Sequence, residues 1–258
     1  FSCDKATFKP SEESLKVVNS KKAFSPVQGE FKTIVDRKLS RLTCEFYGTI
    51  TADNHYHFPY CDEQGNIVAY KKRQIDEKKY SISGNWRDGN LFGQHLFSKG
   101  QKYLTICEGE WDAMSVHAML GSVSTYPVVS VRNGAGSALN DCKNAFEFID
   151  SFDTIVVCFD MDPQGREASQ QVAELFGSKV KVFKSSKGLK DASEYLQQGW
   201  GEEFVKEWWN SERFVPDGIV DGSTLWDIVS APMEDSLINY PYKGLNDLTY
   251  GIRPNEMV

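Results

Sequence analysis

Two short uncharged runs, each followed at once by a knot of acids, constrain this chain more than any other feature. The first is Tyr103-Leu104-Thr105-Ile106-Cys107, followed by Glu108-Gly109-Glu110-Trp111-Asp112. The second is Thr154-Ile155-Val156-Val157-Cys158-Phe159, followed by Asp160-Met161-Asp162-Pro163-Gln164-Gly165-Arg166. Runs this short and apolar, rich in β-branched and aromatic residues, suit strands buried on both faces of a parallel sheet. The acids then fall at the carboxyl ends of those strands, where open α/β sheets place their ligands. Around them the pattern alternates. Strands over 103–107, 127–131, 154–159 and 179–183 are expected to be followed by helices near 111–120, 138–149, 163–176 and 192–196. That order predicts an α/β fold, a parallel sheet with right-handed crossovers and helices on both faces.

Upstream, the chain reads differently. Residues 4–30 are polar, contain Pro10, Pro26 and Gly29, and read as a linker. The spacing of apolar residues from Ile34 to Phe46 predicts a helix carrying Arg37, Lys38 and Arg41. His57-Phe58-Pro59-Tyr60 and Ile67-Val68-Ala69-Tyr70 flank the turn-rich Asp62-Glu63-Gln64-Gly65-Asn66, which predicts a β-hairpin. The hairpin leads into Lys71-Lys72-Arg73, with Lys78 and Lys79 close behind. Two readings stand for this basic run: a strand edge guarded by lysines, or a cradle for phosphates of nucleotide or template.

With 258 residues, 40% hydrophobic and 25% charged, the chain has material for one large domain or two modest ones. It contains no apolar stretch long enough to span a bilayer, and its first residues do not read as a signal peptide. Six cysteines stand at 3, 44, 61, 107, 142 and 158 without a close pair, and two of them fall inside expected buried strands. A reducing, cytoplasmic compartment is the simpler expectation. A net charge of −7 argues against non-specific DNA binding by the whole surface while leaving room for a local basic groove.

The acidic knots carry the chemistry. Asp160 and Asp162 are two apart, so in extended chain both carboxylates project to one side and repel unless a cation neutralises them. Hard oxygen donors in small number suit Mg²⁺. Asp162 also reads as the cap of the helix that Pro163 opens. Glu108 holds the matching place after another strand, as a general base or a further metal ligand. Glu110 and Asp112 read as first-turn acids that complement the helix dipole. Gly134-Ala135-Gly136 reads as a plain turn or as amides offered to a phosphate.

Glu108-Gly109-Glu110 after one strand and Asp160-x-Asp162-x-x-Gly165-Arg166 after a later one resemble the TOPRIM domain of primases, topoisomerases and certain nucleases. Phe58-Pro59-Tyr60 through Val68, then Lys71-Lys72-Arg73, resemble the polymerase domain of bacterial and phage primases. Leu91-Phe92-Gly93, Lys190-Asp191-Ala192 and Val215-Pro216-Asp217-Gly218 are similar to the phage replicative primase–helicases. The resemblance runs from about residue 31 to the end. Gln164 stands where topoisomerases usually carry a third acid.

The resemblance implies a DNA primase, a template-directed RNA polymerase that makes RNA primers on single-stranded DNA during replication. It assigns Glu108 as catalytic base or metal-organising acid, and Asp160 and Asp162 as the pair binding Mg²⁺ or Mn²⁺. Lys71 and Arg73 would hold nucleotide and template, with Lys190 and Asp191 completing the site. The implied partners are single-stranded DNA, ribonucleoside triphosphates, the helicase domain of the same full-length chain and a replicative DNA polymerase, with no membrane. The implied organisation is a zinc-ribbon remnant and linker over 1–30, an N-terminal subdomain over 31–101, a TOPRIM domain over 102–212, and a linker helix with the start of a helicase over 213–258. Zn²⁺ would belong only to a zinc ribbon closed by Cys3. No Gly-x-x-x-x-Gly-Lys-Ser/Thr occurs, so motor ATP hydrolysis is not expected of these residues. Two other readings stand beside the primase: a silent structural or loading module for a helicase, and a TOPRIM-type nuclease.

Overall fold

The hairpin expected around Gly65 lies at the centre of a four-stranded antiparallel sheet in the computed structural model, which describes residues 25–122, 124–215, 222–226, 230–231 and 238–252. Its strands run in order β1 (Ile50–Ala52), β2 (His55–Cys61), β3 (Ile67–Gln74) and β4 (Tyr80–Gly84). Asp62 makes the turn, accepting the Gln64 and Asn66 amides at 3.0 and 2.8 Å. Lys71, Lys72 and Arg73 sit inside β3 rather than after it. Because β3 is paired on both sides, a lysine-guarded edge does not describe them.

The single helix expected over 34–46 is two pieces. Val35–Arg37 is a short 3₁₀ turn, Lys38 takes a φ of 52°, and α1 (Arg41–Tyr47) restarts at Ser40. The Ser40 hydroxyl accepts the Thr43 amide at 3.1 Å, the N-cap contact that lets a helix begin there. The linker expected over 4–30 gives way to structure by Glu30, which exchanges backbone hydrogen bonds with Thr51 at 3.2 and 2.9 Å. Residues 1–24, Cys3 among them, lie outside the described residues.

The two apolar runs are strands β5 (Tyr103–Cys107) and β7 (Thr154–Cys158) of a second sheet. Its order is β6 (Val128–Ser130), β5, β7, β8 (Val180–Val182), β9 (Glu212–Arg213), the first four parallel and β9 antiparallel at the edge. Alternate residues feed two cores, as a doubly covered sheet requires. Leu104, Ile106, Ile155 and Val157 pack with α3 (Ala135–Asn144), α4 (Phe146–Asp150) and α5 (Pro163–Phe176). Cys107, Val156 and Cys158 pack with α1, α2 (Glu110–Met119), α6 (Ala192–Gln198) and α7 (Gly201–Trp209). The helix expected over 138–149 is divided between α3 and α4 at Ala145. The second core also takes Phe58 and Tyr60 from the first sheet, so the two sheets share one interior. Buried Thr105 would be an unpaired hydroxyl there, but Trp208 Nε1 donates to it at 3.0 Å.

One titratable group is locked inside this shared core. His117 stacks on Phe46 with ring centroids 4.4 Å apart, and its Nδ1 has no hydrogen-bond partner. Burial pushes its imidazole down to about 4. The unfolded chain therefore takes up a proton near pH 6.5 that the folded chain refuses until about pH 4. Stability from this group is complete above pH 6.5 and falls by about 3 kcal/mol as pH drops through that window. Chemical denaturation across pH 4–7 should show a shallower slope in His117→Phe than in the native chain, His57 and His95 being lowered by burial in both; equal slopes would contradict it.

The chain divides into two compact units, one ending at Phe214 and the other beginning at Val215. In the second, Lys243–Thr249 is helical, and the Asn246 side chain bonds both the amide and the carbonyl of Tyr240, at 2.7 and 2.9 Å. Within the stretch over 213–258 expected to hold a linker helix, Gly222–Leu225 is a 3₁₀ turn, and 227–229 lie outside the described residues, as do 216–218. The described cysteines, Cys44, Cys61, Cys107, Cys142 and Cys158, are free and buried. Among the described residues no helix is long and apolar enough to cross a membrane.

Candidate active site

β5 and β7 are neighbours in the sheet, but the helices that follow them leave on opposite faces, α2 on one and α5 on the other. A crevice opens at such a switch point, beyond the carboxyl ends of the strands. Cys107 is in register with Cys158, so the residues that follow them emerge side by side. Glu108 reaches across: its Oε2 accepts the Asp160 amide at 3.3 Å and its Oε1 accepts the Ala135 amide at 3.2 Å. The second bond sets the carboxylate at the amino end of α3, where unpaired N–H groups favour negative charge.

Glu108 and Asp160 border one cavity of about 370 Å³. Asp112 and Asp191 join them there from α2 and from the cap of α6. Asp112 Oδ1 accepts the Ser193 amide at 3.1 Å, tying α2 to α6. Asp162 stands beside the group and caps α5, its Oδ1 accepting the Gly165 amide at 2.9 Å. Lys190 supplies positive charge, 2.9 Å from Asp160 Oδ2 and 3.8 Å from Asp162 Oδ2. So many acids in one place raise one another. Burial and the Asp160 charge push the Glu108 carboxyl up. Burial, then Asp191 and Asp160, push Asp112 well up, and burial raises Asp191. The Asp160 hydrogen bond and charge raise Lys190.

Basic lining also comes from the first sheet. Lys71 Nζ lies 2.8 Å from Glu110 Oε1 and donates to the Arg132 carbonyl at 3.0 Å. Buried Glu110 also accepts the Tyr60 hydroxyl. Arg132 is itself pinned, its Nε 2.9 Å from Asp141 Oδ1 and its amide 2.8 Å from Oδ2. Lys71 is thus a caged cation with its head at the cavity. Lys71→Met would strand the Glu110 carboxylate and should cost about 3 kcal/mol of stability. Adding Glu110→Gln should restore part of the loss in denaturant titrations, whereas simple additivity would contradict the pairing.

Residues 105–196 match the Toprim_2 family model, described as Toprim-like. The chain also resembles a primase domain of bacteriophage T7, seen in a structure with the phage lagging-strand DNA polymerase, an RNA/DNA hybrid and dTTP. The two share 32% identity at a TM-score of 0.64, covering 72% of this chain and 94% of that one. The chain belongs to the phage primase–helicase family. A crystal structure of the primase fragment of the T7 primase–helicase agrees, at 33% identity and a TM-score of 0.63 over 69% of this chain and 74% of that one. A DNA helicase/primase of Enterobacteria phage T3 is 35% identical over 244 residues, 91% of this chain. This primase-family chain spans 42% of the length of that relative.

Of the seven site residues expected from the sequence of this family member, Glu108, Asp160, Lys71, Lys190 and Asp191 line the cavity together. Asp162 lies beside it as a helix cap. Arg73, in β3, stands outside the lining, its guanidinium 5.9 Å from the centre of the Trp111 ring and its Nε without a partner. Lys78, part of the basic run read as a possible phosphate cradle, also lines the cavity, as do Asp112, Glu110 and Arg37, which sequence reasoning did not place there. Asp112 and Glu110 look like ordinary first-turn acids, and Arg37 like part of a surface helix. Only long-range contacts reveal them, such as the hydrogen bond from Arg37 Nη1 to Ser193 Oγ at 3.2 Å.

A divalent cation fits this donor set in chemistry and charge. Its oxygens are hard ligands, and burial, with the neighbouring carboxylates, raises Glu108, Asp112 and Asp191, a penalty on their charged forms that a cation would relieve. Among the described residues no group of three or more His, Cys, Asp or Glu side chains forms a ready-made metal cage.

Proposed function

We propose that this chain synthesises RNA primers on single-stranded DNA during DNA replication, joining ribonucleoside triphosphates as the primase portion of a primase–helicase. The single observation that carries this reading is the hydrogen-bonded meeting of Glu108 with the Asp160 amide in one cavity that Lys71 also lines. Acids and lysines lining one cavity suit a reaction that binds a polyphosphate through a cation and moves a proton from an attacking hydroxyl.

Each residue has a part. Asp160 and Asp162, with Glu108, would hold Mg²⁺ or Mn²⁺, which supplies charge neutralisation for the leaving pyrophosphate. Glu108 is the general base: burial and its neighbours raise its carboxyl toward the range where a base works near neutral pH. Lys71, fixed by Glu110 and Arg132, faces nucleotide phosphates, and Arg73 beside Trp111 faces the template strand. Lys190 and Asp191 close the acidic side. Residues 31–101 serve as the N-terminal subdomain, 102–212 as the TOPRIM domain, and 213–258 as a linker leading into a helicase. The partners are the template, ribonucleotides, the helicase part of the full-length protein and a replicative DNA polymerase, acting in the cytoplasm of a bacterial host.

Incubating the chain with single-stranded DNA, labelled ribonucleotides and Mg²⁺ tests this. Template-dependent dinucleotides that vanish with a chelator are expected. Metal-dependent DNA cleavage without nucleotides would mean a nuclease, and neither product would leave a structural module.

A further inference from the structure

The side chain of Lys190 lies where a cation would be needed. Its Nζ sits 2.9 Å from Asp160 Oδ2 and 3.8 Å from Asp162 Oδ2, within reach of both carboxylates. The main chain beneath it is tied down on both sides. Its carbonyl accepts the amide of Met161, the residue between the two aspartates, at 2.8 Å, and its own amide donates to Glu194 Oε2 at 2.8 Å. Glu194 is in turn fixed by Asp191, whose Oδ1 accepts the Glu194 amide at 2.8 Å. A fixed backbone and a side chain 51% exposed leave the ammonium free to swing into solvent or the cavity while its stem stays put.

The other charged contacts nearby differ. Lys71 is held by buried Glu110, and Arg132 by buried Asp141. Arg166 donates to the Met161 carbonyl rather than to either aspartate. Lys190 is therefore the cation aimed at the Asp160–Asp162 pair. An ammonium and a divalent metal ion drawn to the same pair of carboxylates compete for that place, because the two cations repel.

We propose that Lys190 is a built-in counterion that keeps Asp160 and Asp162 neutralised until a divalent metal ion displaces it. The inference rests on the proposed reading of the acids as the metal-holding group and makes specific the part of the lysine that this reading places on the acidic side. It also accounts for carboxylates that gather at one cavity without forming a finished cage.

Calorimetric titration of the 258-residue chain with Mg²⁺, without nucleotide or DNA, tests it. Lys190→Met should bind Mg²⁺ about five-fold more tightly than the native chain, the scale of one partly exposed ion pair. Lys78→Met removes the same charge from the same cavity without breaking that pair, and should change affinity less. Circular dichroism checks that both variants fold. Unchanged or weaker binding by Lys190→Met, or equal tightening in Lys78→Met, would overturn the proposal. No saturable binding by the native chain or either variant would instead remove the metal reading of the acids, and this inference with it.

Discussion

Gly165→Ala should lose about 3 kcal/mol of stability and most of the proposed activity, even though alanine is the better helix former. Gly165 is the third residue of α5, and its need for glycine is one of space. A Cβ there would lie 2.2 Å from the Asp160 carbonyl oxygen, 2.9 Å from its carbonyl carbon and 3.0 Å from its amide nitrogen. Backbone, not a yielding side-chain tip, stands in the way. Either the start of α5 backs off, breaking the 2.9 Å bond from the Gly165 amide to Asp162, or the turn at Asp160 moves and carries its carboxylate away from Glu108 and Lys190. This gives the glycine in Asp160-x-Asp162-x-x-Gly165-Arg166 a physical reason: it lets helix and strand end close around the acids. Urea titration and primer synthesis on the same preparation check it. Native-like stability would mean that the close approach relaxes cheaply.

Loss of activity without loss of fold is expected at the acids themselves. Glu108→Gln keeps size and shape but replaces one oxygen with an N–H₂ donor, so one of the Ala135 and Asp160 amides loses its acceptor. That costs about 1 kcal/mol of stability. The proposed general base disappears altogether, and dinucleotide formation should fall by about 10²-fold or more. Asp160→Ala should fall at least as far, because it removes a proposed metal-holding carboxylate, the one paired with Lys190. Circular dichroism and initial rates of incorporation separate the two effects. Turnover close to native in either variant would contradict the proposed roles.

What could be read before the fold was visible follows from how local each signal is. β5 and β7 are uninterrupted apolar runs, and Pro163 behind an aspartate marks the start of α5, so these elements needed no tertiary information. The breaks at Lys38 and Ala145 left no trace in helical spacing, which reports period and is blind to a cap or a restart. β9 is a two-residue edge strand, below the length at which a pattern exists. Glu108 and Asp160 were readable as strand-end acids. Asp112 was not, because what makes it part of the cavity is the amide of Ser193, 81 residues away. Lys71 was legible as part of a basic run, but its pairing with Glu110 depends on two sheets meeting. Arg73 shows the converse: the same run suggested it for the site, and packing over Trp111 set it aside from the cavity lining.

The most direct measurement of the central claim is anomalous diffraction from crystals of the chain soaked in Mn²⁺. A manganese peak in the cavity lined by Glu108 and Asp160, with the Lys190 ammonium withdrawn from Asp160, is the predicted result. Manganese bound elsewhere, or a native Lys190–Asp160 contact beside an empty cavity at saturating Mn²⁺, would contradict it.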